Sequence, residues 1–446
     1  MTEFKQLGLS AQLLAALEAK GYSKPTPIQL QSIPPLLEGR DLCGIAQTGT
    51  GKTAAFALPS IQGMVADPKP RAPHACRMLV LAPTRELASQ IADSFRDYSK
   101  GTNLKIETVF GGVPIPRQIR MLSQGVDVLV ATPGRLLDLI DQRALSLRNV
   151  ERFVLDEADQ MLDLGFIHAL KRVDQLLPKK RQSLFFSATM PKAISELGDR
   201  FLSDPVKVSV APQSTTAERV DQTVTFVTQA EKQALLTIQL KAMEIDRALV
   251  FTRTKHGADR VVKHLVAAGV TAEAIHGNKS QPQRERTLAA FRSGETRILV
   301  ATDIAARGID VSGVSHVFNF ELPNVPEQYV HRIGRTARAG AAGLAISYVA
   351  DDERPFLKAI EKLTRVKPDV VPLPEDFVAQ AARLPKPPRS ATGDGGGERR
   401  HDNRPRGDRP AAGARTPAGE DTRRFRPRRA GPVGAHKSAV AKFRGR

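Results

Sequence analysis

The sequence has few of the features that mark secreted or membrane proteins. Only two of its 446 residues are cysteines, Cys43 and Cys76, which are too few for a disulfide framework and suit a reducing cytoplasm. Its first ten residues include the acidic Glu3 and lack the basic end and the apolar run of a signal peptide. No apolar stretch approaches the roughly 18 residues that a membrane-spanning helix needs. We therefore expect a cytoplasmic protein without a membrane segment, not a secreted scaffold.

Acidic residues are in the minority, because 47 Asp and Glu face 66 Lys and Arg, and the formal net charge is +19. Such an excess points to a polyanionic partner. Residues 383–446 hold 18 Lys and Arg against 6 Asp and Glu, a net charge of +12 that leaves +7 for the other 382 residues. This segment is poor in large apolar residues, so we expect a disordered basic C-terminal tail. Its arginine pairs suit phosphates and exposed bases, although a solubilising tail without a specific partner is an alternative.

Short β-rich runs alternate with helical stretches through the first 382 residues, a pattern typical of parallel sheets covered by helices. The candidate strands are 42–45, 78–82, 126–131, 153–155 and 184–186, followed by 248–251, 298–301, 316–320 and 345–349. A polar, proline-containing stretch between the two series predicts a linker. The expected fold class is α/β, with a first domain at 1–208, a linker at 209–220, a second domain at 221–372 and the tail at 383–446.

Residues 46–53 follow the first candidate strand and open a helical pattern, as a phosphate-binding loop does. Alanine occupies the position of the first expected glycine, but Gly49 and Gly51 still let backbone N–H groups face a phosphate chain. Lys52 would neutralise the β- and γ-phosphates, and Thr53 would ligate Mg²⁺. The residues expected to contact ATP here are Ala46, Gln47, Thr48, Gly49, Thr50, Gly51, Lys52 and Thr53.

An acidic motif directly follows the apolar run at 153–155. Asp156 is a candidate partner of Mg²⁺, and Glu157 is a candidate for orienting or deprotonating the water that attacks the γ-phosphate. Taken alone, four residues such as Asp156 to Asp159 would more often be an acidic helix cap. Their pairing with the phosphate loop favours the catalytic interpretation, in which Lys52, Asp156 and Glu157 form the catalytic group.

With the motif Asp156-Glu157-Ala158-Asp159, the chain resembles the DEAD-box RNA helicases, and the resemblance runs in order from residue 4 to about residue 348. It implies two tandem RecA-like parallel-sheet domains, ATP and Mg²⁺ as cofactors, and RNA as the partner. The bacterial RhlE-type branch is the most similar, through residues 4–10, residues 165–167 and the basic tail.

The resemblance also assigns residues 21–29 to the family's adenine-sensing Q motif. Gln29 would pair with the adenine edge, an aromatic such as Phe4 would cover the face of the base, and Tyr22 would contribute to the ATP site. Without the resemblance, Gln29 would be interpreted as a surface polar residue and Phe4 as an apolar staple. Asp310 matches the acid that contacts the ribose in the family.

Further segments resemble the family's RNA-facing and coupling motifs. The implied contacts to the RNA backbone are Thr84, Arg85, Gly112, Thr132, Arg135, Arg253, Arg284 and Thr302. The implied links between the ATP site and domain closure are Asp159, Ser187, Thr189, His331 and Arg332. Helix capping explains Thr84 and Thr132 almost as well.

Arg335 and Arg338 match the family's arginine fingers, whose charge stabilises the γ-phosphate transition state once the domains close. By themselves they would be interpreted as surface ion-pair partners. Ala337 stands where many members have glycine. A methyl group is a small change on a helix, so we expect the fingers to keep their places.

The sequence therefore predicts an RNA-stimulated ATPase that locally melts short duplexes or remodels RNA–protein complexes. Little sequence preference is expected, because the implied contacts are to the RNA backbone and the 2′-hydroxyl groups. The candidate roles are ribosome assembly, RNA decay and cold adaptation, with ribosomal precursors or an RNA-degradation complex as candidate partners. A DNA helicase with the same two domains, and an RNA chaperone with an idle ATP site, are alternatives.

Overall fold

The structure is a computed structural model and describes residues 3–47, 49–210, 220–306, 311, 313–337, 343–385 and 387. Residues 211–219 of the predicted linker and residues 388–446 of the predicted tail lie outside the described residues, as do the site residues Thr48, Asp310 and Arg338. Among the described residues, no helix is both long and apolar enough to span a membrane.

The first sheet has seven strands in the order β3-β4-β2-β5-β6-β1-β7, and all of its strand pairs are parallel. Its strands are β1 Leu42–Ile45, β2 Cys76–Leu81, β3 Ile106–Val109, β4 Val126–Ala131, β5 Arg152–Leu155, β6 Gln182–Ser187 and β7 Val206–Ser209. The helices of this domain are α1 Ala11–Ala19, α2 Pro27–Leu37, α3 Lys52–Ala66, α4 Arg85–Tyr98, α5 Ile115–Leu122, α6 Pro133–Asp141, α7 Ala158–Asp163, α8 Ile167–Leu176 and α9 Lys192–Phe201, and a 3₁₀ helix spans Phe4–Leu7.

The second sheet repeats this organisation, with seven parallel strands in the order β10-β11-β9-β12-β13-β8-β14. Its strands are β8 Asp221–Phe226, β9 Ala248–Thr252, β10 Ala272–Ile275, β11 Ile298–Thr302, β12 His316–Asn319, β13 Leu344–Val349 and β14 Asp369–Val370. Its helices are α10 Lys232–Ala242, α11 Lys255–Ala267, α12 Gln281–Ser293, α13 Asp303–Ala306, α14 Pro326–Ile333, α15 Arg354–Thr364 and α16 Phe377–Ala382, and a 3₁₀ helix spans Asp351–Glu353.

Both faces of each sheet are buried, which explains why the central strands are continuous apolar runs. Along β2, Met78 and Val80 pack into one core cluster, whereas Leu79 and Leu81 pack into another. Successive side chains of a strand point to opposite faces, so each sheet separates two layers of core. This arrangement confirms the predicted α/β fold class with two parallel sheets.

The packing of the second domain extends past its predicted end at residue 372. Phe377 of α16 is buried in the core of this domain, and Leu384 packs against the same cluster. Leu384, which the composition assigns to the tail, is therefore in contact with folded protein. With only six residues, α16 is too short to show a helical period in the sequence.

Candidate active site

The site is built at the carboxyl ends of parallel strands, where polar groups leave the sheets and face a common edge. After β1, the phosphate loop turns into α3 through Gly49 and Gly51, whose φ angles are +81° and +90°. These left-handed conformations favour glycine because a Cβ atom would clash with the backbone. The loop thus lies at the N-terminus of the 15-residue α3, where unpaired N–H groups and the helix dipole favour an anion.

Ala46 shows why alanine is tolerated at the first position of the loop. It is 2% exposed and belongs to the first core cluster, so its methyl group packs in the core of the domain. The neighbouring backbone is also tied to the side chains around it. Lys52 donates from Nζ to the Ala46 carbonyl at 3.0 Å, and Thr50 donates from Oγ1 to the Gln47 carbonyl at 2.8 Å.

The acidic motif lies beside the phosphate loop, because β5 carries Asp156 to the same edge. Asp156 and Glu157 are 2% and 4% exposed, and Asp156 Oδ1 lies 4.0 Å from Lys52 Nζ. Glu157 has a left-handed backbone with φ +54°, a conformation that costs a residue with a Cβ atom about 1–2 kcal/mol. Strain of this kind is concentrated at functional sites.

Burial also perturbs the ionisation of both acids. It raises the pKa of Asp156, against the opposing attraction of Lys52. It raises the pKa of Glu157 to about 7, with Lys52 opposing the shift and Asp156 adding to it. A carboxyl group that titrates near neutrality is suited to accept and return a proton at the pH of the cell.

Asp159 connects the acidic motif to the segment after β6. Its Oδ2 atom accepts hydrogen bonds from the backbone of Ala188 at 3.1 Å and Thr189 at 3.0 Å, and from Thr189 Oγ1 at 3.2 Å. Ser187 is the last residue of β6 and is fully buried, and its carbonyl accepts the Ala46 N–H at 3.0 Å. The three first-domain residues expected to couple the ATP site to domain closure are therefore brought into one network that reaches the phosphate loop.

A cavity of about 440 Å³ lies beside these groups. Its walls include the predicted ATP-site residues Tyr22, Gln29, Gly49, Gly51, Lys52 and Thr53. Asp156 and Glu157 also line it, and Arg335 reaches it from the second domain. The cavity is thus completed by both domains, and Arg335 attracts Glu157 enough to contribute to its pKa.

Gln29 is held against the phosphate loop. Its Oε1 atom accepts the Thr26 N–H at 2.9 Å in a capping box at the start of α2, and its Nε2 atom donates to the Gly51 carbonyl at 3.1 Å. A Cβ atom at Gly51 would lie 2.4 Å from Nε2. The residue expected to sense adenine is therefore also in direct contact with the loop expected to hold the phosphates.

Phe4 occupies a different place from the one expected. Its side chain is 4% exposed and packs in the first core cluster, and it is not among the residues that line the cavity. Tyr22 is 45% exposed and does line it. The short 3₁₀ helix at the start of the domain buries Phe4 together with Leu7. In this structure Phe4 therefore has the role of an apolar staple, the alternative to contact with the base.

Several residues of the cavity wall are absent from the predicted site, and four of them belong to α4: Leu87, Gln90, Ser94 and Tyr98. Spacings of three and four residues place them on one face of the helix. Tyr98 is 3% exposed. Burial raises its pKa, and a hydrogen bond to Tyr22 adds to the shift. The helical stripe was visible in the sequence, but its mixture of Leu, Gln, Ser and Tyr indicates no particular chemistry.

The second domain fixes Arg332 firmly. This side chain is 2% exposed, and it donates from Nε and Nη2 to the two carboxylate oxygens of Asp303 at 2.5 and 2.7 Å. The guanidinium lies 5.0 Å from the ring of Phe251. Asp303 follows Thr302 at the end of β11, and His331 and Arg335 lie on either side of Arg332 in the chain. Arg332 therefore links the end of β11 to the helix that precedes Arg335.

The backbone at Ala337, between the two arginine-finger positions, is not helical as expected. Helix α14 ends at Ile333, so Ala337 is not on a helix, and its φ of +53° is left-handed. Alanine at this position is strained for the same reason that glycine is favoured there. Arg335 is nevertheless placed at the cavity.

The RNA-facing candidates of the first domain follow β2, β3 and β4. Arg85 packs over Gly112, where φ is +83° and a Cβ atom would lie 2.1 Å from Arg85 Nη1. Thr84 caps α4 by accepting the Leu87 N–H at 3.3 Å. Capping is thus a role that the structure does give to Thr84, as one of our alternatives predicted.

Thr132 and Arg135 lie at the start of α6, after β4. Thr132 is the N-cap residue, but its side chain makes no capping hydrogen bond. Arg135 donates from Nη1 to the Val113 carbonyl at 2.8 Å and to Gln118 Oε1 at 3.0 Å. These contacts hold the guanidinium beside the segment that contains Gly112.

Arg284 differs most from expectation, because its guanidinium contacts the first domain. It donates from Nε to Glu86 Oε1 at 2.8 Å, and the two side chains are 9% and 4% exposed. Arg85 and Gln281 form a second, longer contact of 3.4 Å between the same two segments. Burial of an unpaired guanidinium would be costly, which explains why Arg284 has a carboxylate partner. Its expected contact with RNA stays a prediction.

Arg253 and Thr302 line a second pocket, of about 350 Å³. Asp163 and Leu164 of the first domain contribute to its wall, and the other lining residues belong to the second domain. Arg253 follows β9 and Thr302 ends β11, which are adjacent in the sheet. The pocket therefore brings polar groups of both domains to one surface outside the ATP cavity.

Comparison with known proteins agrees with this geometry. A family model described as DEAD/DEAH box helicase matches residues 26–197, and one described as helicase conserved C-terminal domain matches residues 230–340. The ATP-dependent RNA helicase CshA of Limosilactobacillus reuteri is 43% identical over 366 residues, which are 82% of this chain and 72% of that protein. The DEAD-box ATP-dependent RNA helicase CshA of Streptococcus pneumoniae serotype 4 is 45% identical over 364 residues, which are 81% and 68% of the two chains.

Among solved structures, S. cerevisiae Dbp5 bound to RNA and ADP BeF3 matches with a TM-score of 0.73 and 32% identity, covering 86% of this chain and 99% of that one. This match confirms that the two sheets form tandem RecA-like domains. The sequence identity to the two bacterial relatives extends over both domains. The chain therefore belongs to the DEAD-box family and is an ATP-dependent RNA helicase.

Proposed function

We propose that this helicase hydrolyses ATP·Mg²⁺ in the cavity between its domains, and that RNA stimulates the reaction by drawing the domains together. The observation that carries the proposal is the composition of the cavity wall. Lys52, Asp156 and Glu157 come from the first domain, and Arg335 comes from the second. A ligand that contacts both domains therefore favours the state in which all four groups are assembled.

The residues around the phosphate loop fit a magnesium ion that is held mainly by phosphates and water. The described residues contain no group of three or more His, Cys, Asp or Glu that could hold a metal alone. Mg²⁺ at nucleotide sites usually takes one or two protein ligands besides phosphate oxygens. Asp156 and the Thr53 hydroxyl are the proposed ligands, and Mg²⁺ would neutralise charge on the phosphates.

The proposed chemistry assigns a separate task to each side chain. Lys52 neutralises the β- and γ-phosphate oxygens from its position beside Ala46, and Glu157 orients the attacking water and takes up its proton. The Oε2 atom of Glu157 is buried and has no hydrogen-bond partner within the described part of the chain, which leaves it available to a water molecule. Arg335, together with Arg338, stabilises the charge that develops on the γ-phosphoryl group.

For RNA, we propose contacts to the backbone from the segments after β2, β3, β4, β9 and β11. The relative Dbp5 has been solved with RNA bound. The side chains brought to these strand ends are hydroxyls and guanidinium groups, which suit phosphates and 2′-hydroxyls. The expected result of binding is local unwinding of short duplexes, or remodelling of RNA–protein complexes, with little sequence preference.

Ribosome assembly, RNA decay and cold adaptation are the proposed cellular settings, with ribosomal precursors or an RNA-degradation complex as partners. The RhlE-like branch is also a proposal, based on residues 4–10, residues 165–167 and the basic tail, whereas the two bacterial relatives are both named CshA. A cytoplasmic location is proposed because both cysteines are free.

Glu157→Gln tests the proposed mechanism. We expect steady-state hydrolysis with saturating RNA to fall by at least about a hundredfold, the usual effect of losing general-base catalysis. ATP binding should persist, because Lys52 and the loop are unchanged. Glu196→Gln is the control, since this exposed glutamate pairs with Lys192 on α9. Equal hydrolysis by the wild type and Glu157→Gln would refute the assigned role.

A further inference from the structure

A cluster of four charged residues lies at the carboxyl edge of the second sheet, and only one of them has a proposed role. Arg253 follows β9, Glu321 follows β12, Glu353 ends the 3₁₀ helix after β13, and Lys232 begins α10. The strands β9, β12 and β13 are neighbours in the sheet. The cluster therefore lies directly behind the pocket that Arg253 and Thr302 line.

Glu353 is immobilised by three donors. Its side chain has no exposed surface, and Oε1 accepts the Leu322 N–H at 3.1 Å. Its Oε2 atom accepts the Ala350 N–H at 3.0 Å and also accepts a hydrogen bond from Lys232 Nζ. This carboxylate is therefore fixed in position by the backbone of two different loops.

Lys232 is equally constrained. It is fully buried, and Nζ donates to the Phe320 and Tyr348 carbonyls at 3.0 Å each, in addition to Glu353. Burial lowers the pKa of Lys232, while Glu353 opposes that shift. The ammonium group thus joins the ends of β12 and β13 to the start of α10.

Arg253 is the member of the cluster that reaches the surface. Its Nη2 atom lies 3.3 Å from Glu353 Oε1 and 4.0 Å from Glu321 Oε1, and its side chain is 28% exposed. The Arg253 N–H donates to Glu321 Oε2 at 2.7 Å, which fixes the backbone as well. One end of the guanidinium is therefore held from behind while the side chain still lines the pocket.

Stability alone gives a poor reason for such a cluster. A buried ion pair costs desolvation that an apolar pair of similar volume would avoid, so it is weak evidence for stabilisation. Arginine has large rotamer freedom, and fixing it before a ligand arrives removes part of the entropic cost of binding. The ion pair of Glu353 and Lys232 lies behind Arg253 at a ligand-facing edge, where it can fix this arginine in the same way.

We propose that Glu353 and Lys232 are positioning residues that hold the Arg253 guanidinium in the orientation in which it binds an RNA phosphate. This inference rests on the proposed contact between Arg253 and RNA. Lys232 fixes Glu353, Glu353 fixes one side of Arg253, and the remaining N–H groups of Arg253 face the phosphate. A bidentate guanidinium is needed for this arrangement, since it can bridge two anions in defined directions.

The test compares RNA binding by Arg253→Ala, Glu353→Gln and the double variant over a range of salt concentrations. Arg253→Ala should weaken binding of a single-stranded RNA and reduce the slope of log K against log salt by about 0.7, the contribution of one phosphate contact. Glu353→Gln should weaken RNA binding by about fivefold, which corresponds to the cost of immobilising one flexible side chain. It should change nothing further in the Arg253→Ala background, and ATP binding should be unaffected.

Asp41→Asn is the matched control for neutralising a buried carboxylate. Asp41 is 8% exposed and accepts the N–H groups of Ser183 and Ser203 at 2.7 and 2.8 Å in the first domain. It makes no contact with the cluster, so RNA affinity should stay at the wild-type value. Equal weakening by Asp41→Asn and Glu353→Gln would overturn the inference, because the effect would then be general.

The outcomes separate the inference from the function on which it rests. Wild-type RNA affinity in Arg253→Ala would refute the contact itself. Weakening in Arg253→Ala with wild-type affinity in Glu353→Gln, or additive effects in the double variant, would refute the positioning alone. If Glu353→Gln does not fold, Arg253→Lys decides. A lysine keeps the charge but cannot bridge Glu353 and a phosphate, so wild-type affinity and salt slope in that variant would overturn the inference.

Discussion

The ion pair between Glu86 and Arg284 should determine how strongly ATP and RNA promote each other's binding. It joins the N-terminal turn of α4 in the first domain to α12 in the second. The nitrogen and oxygen atoms are 2.8 Å apart and both side chains are buried. We predict that Glu86→Ala destabilises the assembled state of the two domains without altering the ATP-binding groups of the first domain.

The size of this effect follows from the exposure of Arg284 when the domains are assembled and when they are apart. Removing one partner of a buried ion pair costs about 3–5 kcal/mol, because the other charge is left buried and uncompensated. When the domains are apart, Arg284 can return to water, so the cost falls on the assembled state. About 3 kcal/mol is on the order of a hundredfold in an equilibrium constant. Couplings between two ligands are typically about 1–3 kcal/mol, so Glu86→Ala should remove most of the cooperativity.

The assay is the affinity of a non-hydrolysable ATP analogue measured with and without saturating single-stranded RNA. The wild type should bind the analogue more tightly with RNA present, and in Glu86→Ala this ratio should fall most of the way to one. Affinity without RNA should not change. Asp93→Asn is the control, because Asp93 lies on the same helix and forms an exposed pair with Arg96, which contributes little.

If RNA raises the affinity for the ATP analogue by the same ratio in Glu86→Ala as in the wild type, the proposed role of the ion pair is refuted. It would mean that Arg284 contributes through RNA alone, as we expected from the sequence. The exchange of charges in Glu86→Arg with Arg284→Glu gives a second criterion. If the pair matters as a pair, the double variant should recover part of the ratio that either single change removes. If Arg284 acts only on RNA, Arg284→Glu should remain defective in both backgrounds.

Three further predictions concern Gly112, Gln29 and the basic tail. Gly112→Ala should weaken RNA binding by displacing Arg85, whereas Gly269→Ala, with a similar φ of +79° but open space around it, should lose similar stability and keep wild-type RNA affinity in a filter-binding assay. Gln29→Ala should raise the Kd for ATP by about fivefold for each hydrogen bond to adenine that is lost. The affinity for GTP should change less, and fluorescence titration measures both. Deleting the residues after Leu384 should lower RNA affinity and its salt slope while ATPase activity at saturating RNA persists.

The fold and the phosphate site could be predicted because their signals are local. A buried parallel strand is a continuous apolar run, and the turn from β1 into α3 requires glycine at two positions whose φ angles are positive. The acids after β5 follow the same rule, since an apolar run ends directly in carboxylates. The strands that were not predicted, including β3 and β14, are short or partly exposed. Their apolar pattern is correspondingly weak.

The contacts that were missed are those between distant parts of the chain. Arg284 and Glu86 are 198 residues apart, and no pattern around either one indicates the other. Phe4 packs either in the core or against the adenine base. The choice depends on which part of the core α2 and α3 leave uncovered, and the sequence does not show this. For Ala337, the error was local: the sequence suggested a continuing helix, whereas α14 ends at Ile333. Gly334, the C-cap residue, is the signal in the sequence that indicates this end.

The arginines expected to bind RNA share a property that changes how the charge of this protein is interpreted. Arg85 contacts Gln281, Arg135 contacts Gln118, Arg253 contacts Glu353 and Arg284 contacts Glu86. Guanidinium groups that are already held in place lose little entropy on binding but offer fewer free N–H groups to phosphates. The body, with a net charge of +7, therefore depends on the placement of a few groups. We therefore expect the +12 of residues 383–446 to supply most of the long-range, salt-dependent attraction to RNA, so that truncation and point substitution should affect different parts of the binding curve.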